Sequence, residues 1–261
     1  MEARAKPHME TPAVEVVNRS GEGHILLVCD HASNRFPAPF DTALGIFDKD
    51  AEAHIAWDPG ALGVSLQLSR VLDAPLVYST VSRLVIDCNR DPSAHDLIPA
   101  VSEVTEIPGN RNLSEDEKQA RLNLAHRPFH DAISDVIEER RRSGRPTAVI
   151  SVHSYTPVYK GEERPWEIGL IAAQDRRLID PALTLLRAQT EFQVGDNEPY
   201  SPEDGVYYTL TRHGEALGLP SLMIEIRNNE VATAEAVKRW AETLAPVLQA
   251  VVAQVNGAAH A

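Results

Sequence analysis

Three apolar runs in this chain end on side chains that can do chemistry: Val28-Cys29-Asp30-His31, Ser151-Val152-His153-Ser154 and Met223-Ile224-Glu225-Ile226-Arg227. A fourth stretch, from Ser82 to Arg90, sets Arg83, Asn89 and Arg90 around the apolar segment Leu84–Cys88. Two histidines, a glutamate and paired arginines are the components of metal-assisted hydrolysis of a substrate that carries a carboxylate. Zinc binds neutral imidazole nitrogen, and a catalytic zinc takes three protein ligands and keeps one position open. His31 and His153 therefore need a third partner. Asn34, three residues after His31, offers only an amide oxygen, a poor zinc ligand. Asp58 offers a carboxylate, or else serves only as the N-cap of the helix that follows it.

Glu225 lies in an otherwise apolar segment, where an ionised carboxylate is costly unless it is paired or functional. Two readings compete. Arg227, on the same face by the two-residue period of a strand, pairs with it or faces the substrate. Alternatively, Glu225 is the general base that takes a proton from water and passes it to the leaving amine, with a pKa raised by desolvation. Of Arg83 and Arg90, assisted by Asn89, one can grip a substrate carboxylate bidentately while the other polarises the scissile carbonyl. Ion pairs with Asp87 or Asp91 are the plainer alternative. His213, in Thr211-Arg212-His213-Gly214, is a weaker candidate for substrate contact or a simple helix cap. A serine or cysteine nucleophile is disfavoured, because Cys88 falls mid-segment and no Gly-x-Ser-x-Gly elbow occurs.

These residues need strands that deliver them to one rim. Residues 24–29, Leu76–Thr80, Leu84–Cys88, Thr147–Val152, Glu167–Ala173 and Leu222–Ile226 read as short buried strands. Helices are expected from Asp58 to about Val71, from the Ser114/Glu117 capping box to about Arg142, over Arg176–Gln189, Val206–Leu217 and Ala232–Val255. Asp91 to Leu113 and Gly195 to Gly205 read as loops. The alternation predicts one three-layer α/β/α domain over residues 21–258 with a mixed, mostly parallel sheet, preceded by a loose tail over 1–20. Ligands of such sheets bind beyond the carboxyl ends of strands, where His31, His153 and Glu225 fall.

Composition excludes several alternatives. Hydrophobic residues at 43% and charged residues at 24% suit a water-soluble core-forming chain, and no apolar run spans a bilayer. The first twenty residues lack the apolar core of a secretory signal. A net charge of −13 disfavours nucleic acid, though a local arginine cluster still admits a small anion. Cys29 and Cys88 read as buried thiols in a reducing compartment, and a cytoplasmic location is expected.

Taken in order, His31-Ala-Ser-Asn34, Trp57-Asp-Pro-Gly-Ala61, Ser82-Arg83 to Asn89-Arg90, His153-Ser-Tyr-Thr-Pro157, Thr211-Arg-His-Gly214 and Ile224-Glu-Ile-Arg227 resemble the N-formylglutamate amidohydrolase family. The resemblance runs from about residue 24 to 230. It implies a zinc-exopeptidase-like fold, akin to zinc carboxypeptidases and aspartoacylase, and hydrolysis of the linear amide of a small N-acyl amino acid. It also implies a divalent metal, zinc by analogy, on His31 and His153, and a carboxylate clamp at Asn89 and Arg90. Arg83 would polarise the carbonyl and Glu225 would activate water. Asn34 stands where the zinc peptidases have a ligand glutamate, which leaves Asp58 as the charged candidate for the third ligand. Two alternatives keep the same fold: a hydrolase of small peptides or cell-wall fragments, and a non-catalytic binder of an acidic ligand. The oligomeric state is left open.

Overall fold

The computed structural model describes residues 11–258. Its centre is a seven-stranded sheet: β1 (Val14–Val17), β2 (Ile25–Cys29), β3 (Leu76–Ser79), β4 (Ala148–Tyr155), β5 (Ile168–Ile171), β6 (Val194–Asp196) and β7 (Ser221–Arg227), in the spatial order β1-β3-β2-β4-β7-β5-β6. The pairs β3/β2, β2/β4, β4/β7 and β5/β6 are parallel, whereas β1/β3 and β7/β5 are antiparallel. This is the expected mixed, mostly parallel sheet. The central strands β2 and β4 are buried at every position, as continuous apolar runs must be when helices cover both faces.

Alternate residues of each strand enter two separate cores. Leu27, Ile150 and Ile224 pack under helices α1 (Ala61–Val71), α4 (Ile179–Gln189) and α6 (Ala234–Ala258). Val28, Val149 and Met223 face the other layer, built from α2 (Glu115–Arg121), α3 (Arg127–Arg142) and α5 (Tyr208–His213). The Ser114/Glu117 capping box starts α2 as anticipated. None of the described helices is long and apolar enough to cross a membrane.

Three expectations are corrected. Residues 14–17, assigned to a loose tail, form the antiparallel edge strand β1 on β3; residues 1–10 of that expected tail lie outside the described residues. The helix read as one piece from Ser114 to Arg142 is interrupted by a π-helical turn at Leu122–His126. Finally, Leu84–Cys88 is a buried run of turns rather than a strand.

That last segment satisfies its backbone with side chains instead of a ladder. The Leu84 carbonyl accepts from Asn110 Nδ2 at 2.8 Å and the Val85 carbonyl from Arg121 Nη1 at 3.0 Å. The Cys88 and Arg90 carbonyls each accept at 2.9 Å, from His130 Nε2 and His126 Nε2 respectively. A π turn returns the chain to the same face after five residues rather than four. It thus brings Arg121 and His126, and His130 one further turn on, to bear on the same loop.

Candidate active site

Parallel register sets the centre. His153 on β4 and Glu225 on β7 are direct neighbours across the ladder, near the carboxyl ends of both strands. His31 leaves β2 two residues past its last ladder position. Its carbonyl accepts from the Asp58 amide at 2.9 Å, and this bond draws the Trp57–Pro59 segment over the sheet edge. Asp58 is not the N-cap of α1: that position is Gly60, at φ +83, where a side chain would collide with Val231. The Asp58 carboxylate, 3% exposed, turns into the site instead.

His31, Asp58 and His153 form a cluster that could hold a metal ion. Asp58 Oδ2 lies 3.4 Å from His31 Nδ1 and 2.9 Å from His153 Nδ1. The opposite ring nitrogens are committed elsewhere. His31 Nε2 donates to Asp87 Oδ1 at 2.7 Å. His153 Nε2 lies 2.7 Å from Ser151 Oγ and 3.2 Å from Asp30 Oδ2, and the Ser151 hydroxyl itself donates to Asp30 at 3.1 Å. A neutral imidazole that donates through Nε2 presents a lone pair at Nδ1. Two such lone pairs then face one carboxylate oxygen, an arrangement that repels itself unless a cation joins it. The donor set and the carboxylates behind both histidines therefore fit a divalent metal.

The ionisation behaviour shows the same demand for positive charge, which protons on the imidazoles also answer. Burial alone would lower the His31 and His153 pKa values, yet the surrounding aspartates raise both. Burial would likewise raise Asp58, but the two imidazoles hold it far below the usual carboxylate range. For Asp30, burial is outweighed by His153, His31 and Thr209, which bring it to about 2. Glu225 behaves oppositely. Burial raises its pKa to about 7, with the Asp58 charge assisting and the His153 charge opposing. Its Oε2 is buried without a hydrogen-bond partner among the described residues.

These groups line one cavity of about 590 Å³ that opens to solvent. Arg83 enters between the aspartates, with Nη2 2.9 Å from Asp87 and Nη1 3.4 Å from Asp58. Arg90 also lines the cavity, its Nε bonded to Asp96 at 2.7 Å.

Four expected contacts fall elsewhere. Asn89 borders the cavity, but its amide is consumed: Oδ1 accepts from the Thr209 amide at 3.0 Å and Nδ2 donates to the Val206 carbonyl at 2.5 Å, which ties the clamp loop to α5. Asn34 donates to the Ala51 carbonyl at 3.0 Å and does not reach the cavity. Arg227 does not pair with Glu225. It bonds the Arg164 and Pro165 carbonyls at 3.1 and 3.2 Å, together with Glu167 and Glu230. His213 is buried behind the site, its Nε2 2.8 Å from His130 Nδ1.

Sequence reasoning missed Asp30, Arg164 and Tyr200, and gave Asp87 only as an ion-pair partner of the arginines, a pairing that Arg83 makes. Asp30 and Asp87 were legible in part, since each stands within a motif already singled out. Arg164 and Tyr200 come from a short ribbon and a proline-rich loop whose sequence carries no periodic signal.

A family profile described as N-formylglutamate amidohydrolase matches residues 23–232. Among solved structures, gene product Atu2144 from Agrobacterium tumefaciens is 41% identical and superposes with a TM-score of 0.92, covering 95% of this chain and 97% of its own. N-formylglutamate amidohydrolase from Ralstonia eutropha JMP134 shares the fold, with a TM-score of 0.71 at 19% identity over 95% of this chain and 100% of its own. A comparison with curated proteins finds no match. The profile spans far more than half of the chain and includes every cavity residue discussed above, and the chain is accordingly a hydrolase of amide bonds that belongs to the N-formylglutamate amidohydrolase family.

Proposed function

We propose that this chain hydrolyses the amide bond of an N-acyl amino acid with the help of a divalent metal, zinc by the chemistry of its ligands, and that N-formyl-L-glutamate is its reference substrate. The observation that carries this reading is the meeting of two Nδ1 atoms and one Asp58 oxygen beside a buried, partnerless Glu225 oxygen in a single open cavity. His31, Asp58 and His153 would hold the metal, which supplies Lewis acidity and lowers the pKa of water toward neutrality.

The protein's own groups perform the remaining work. Glu225, with a pKa near 7, is substantially ionised at neutral pH and accepts a proton from the attacking water. The water oxygen bonds to the acyl carbon and the carbonyl becomes a tetrahedral oxyanion, which Arg83 faces with a guanidinium fixed by Asp58 and Asp87. Glu225 then returns the proton to the amide nitrogen as the C–N bond breaks. Formate and glutamate are released. Arg90 supplies positive potential for a substrate carboxylate; Asn89 serves this indirectly, by fixing the loop that carries Arg90.

A panel of N-formyl, N-acetyl and N-succinyl amino acids, assayed with and without added zinc or cobalt, tests this reading. The expected result is metal-dependent release of the acyl group, fastest for N-formyl-L-glutamate. Turnover confined to peptides or cell-wall fragments would assign the same machinery to another substrate.

A further inference from the structure

The cavity holds three arginines, and their charges are not equally answered. Arg83 is set between Asp58 and Asp87, and Arg90 is bonded to Asp96. Arg164, only 9% exposed, forms no ion pair among the described residues. Its guanidinium donates once, from Nη1 to the Tyr200 hydroxyl at 2.9 Å. Otherwise it is framed by aromatic rings, with Tyr159 at 4.5 Å, Tyr200 at 4.6 Å and Tyr155 at 5.6 Å from its central carbon.

Ring faces attract a guanidinium but do not replace an anion: each such contact contributes about 0.5–2 kcal/mol, less than the cost of desolvating a charge. Ring contacts consume none of its N–H donors, and only one donor is used among the described residues. Both Arg164 and Tyr200 line the cavity. Glu225 lines the same cavity, so the guanidinium shares it with the proposed general base.

The position is also anchored. The Arg164 amide donates to the Pro157 carbonyl at 2.9 Å, closing the base of the ribbon Val158–Tyr159/Glu162–Glu163. The Arg164 carbonyl accepts from Arg227 Nη1. A buried, anchored and unpaired guanidinium with unused N–H donors is the receptor a carboxylate requires.

We propose that Arg164 is a second carboxylate-recognition residue, separate from Arg90, and that it makes the cavity selective for N-acyl amino acids bearing two carboxylates. The proposal rests on the hydrolase reading above and adds its specificity determinant. Either the main-chain or the side-chain carboxylate of the substrate can occupy Arg164, and substrates lacking one or the other distinguish them.

The test compares N-formyl-L-glutamate, N-formyl-L-glutamine and N-formyl-L-isoglutamine on wild type, Arg164→Met and Arg164→Lys. Loss of a charge-assisted hydrogen-bond pair predicts that wild type disfavours both amides, each by about 10- to 100-fold in kcat/KM. In Arg164→Met the discrimination against one of the two collapses while that owed to Arg90 remains, with KM for the diacid carrying most of the change; Arg164→Lys, which keeps charge without the fork, falls between. The amide against which discrimination is lost identifies the carboxylate that Arg164 holds. Discrimination against both amides that survives Arg164→Met, or an equal loss on all three substrates, overturns the proposal. Should wild type hydrolyse none of them, the hydrolase reading falls by itself. Calorimetric titration with glutarate then still decides: weaker binding to Arg164→Met than to wild type upholds the anion site, and equal binding removes it.

Discussion

In the proposed mechanism Glu225 is the residue on which catalysis and titration meet. A glutamate in an apolar strand is expensive to ionise, and here burial raises its pKa to about 7. A base works only when ionised, so activity should be present above that pH and fall as pH drops through it. Glu225→Gln should lower kcat about 100- to 10,000-fold with a much smaller change in KM, and any residual activity should lack the acidic limb near pH 7. Steady-state rates from pH 5 to 9 check both. Asp87 makes a different prediction, because it reaches the site through His31 Nε2 and Arg83. Asp87→Asn should weaken zinc affinity about 10- to 100-fold, measured by chelator competition, while a saturated sample still holds one zinc per chain. At this scale the histidines, Glu225 and Arg83 were legible because their types are rare at the ends of apolar runs. Asp58 was ambiguous between cap and ligand, and the structure removes the cap reading, since Gly60 holds that position. Asn34 was suggested by spacing alone, and its bond to Ala51 shows how little a three-residue interval fixes once the chain turns.

Among the elements, the strands and long helices followed from apolar period and capping chemistry, whereas the irregular segments did not. Leu84–Cys88 has the composition of a buried strand, yet the groups that satisfy its carbonyls are Asn110, Arg121 and His130, up to 42 residues away. No local pattern can report such partners. The histidines that support this loop carry a pH signature. Burial, reinforced by neighbouring positive charge, lowers His130 to about 2 and His213 to about 4, both below the 6.5 of an unperturbed histidine. The unfolded chain binds these protons more readily. The stability they confer is complete above about pH 6.5 and drains as pH falls toward the folded values, by up to ~1.4 kcal/mol per pH unit for each histidine. Thermal melts between pH 7.5 and 5 should show this decline, and it should flatten in His213→Asn. Gly169 makes the second prediction at this scale. It lies opposite Glu225 in the ladder, and a Cβ there would come within 1.7 Å of the Glu198 carbonyl. Gly169→Ala should cost about 1–3 kcal/mol of stability and, by displacing the loop that carries Tyr200, depress kcat/KM.

For the molecule as a whole, the carboxyl ends of parallel strands and the loops beside them collect groups from residues 31 to 225 into one cavity, which explains how weak local motifs add up to one candidate centre. A net charge of −13 does not oppose an anionic substrate, because the cavity gathers Arg83, Arg90 and Arg164 in its lining. A metal that joins β2, β4 and the Asp58 segment binds only the folded chain. Zinc at about 100 times its Kd should therefore stabilise the protein by ~2.7 kcal/mol, and chelation should lower Tm correspondingly. The most direct test of the central claim is a titration of metal-stripped protein with zinc while formate release from N-formyl-L-glutamate is followed. If His31, Asp58, His153 and Glu225 form one hydrolytic centre, activity rises from near zero and levels off at one zinc per chain, with no rise in His153→Ala. Full turnover by the stripped protein, or an equal response from His153→Ala, would contradict it.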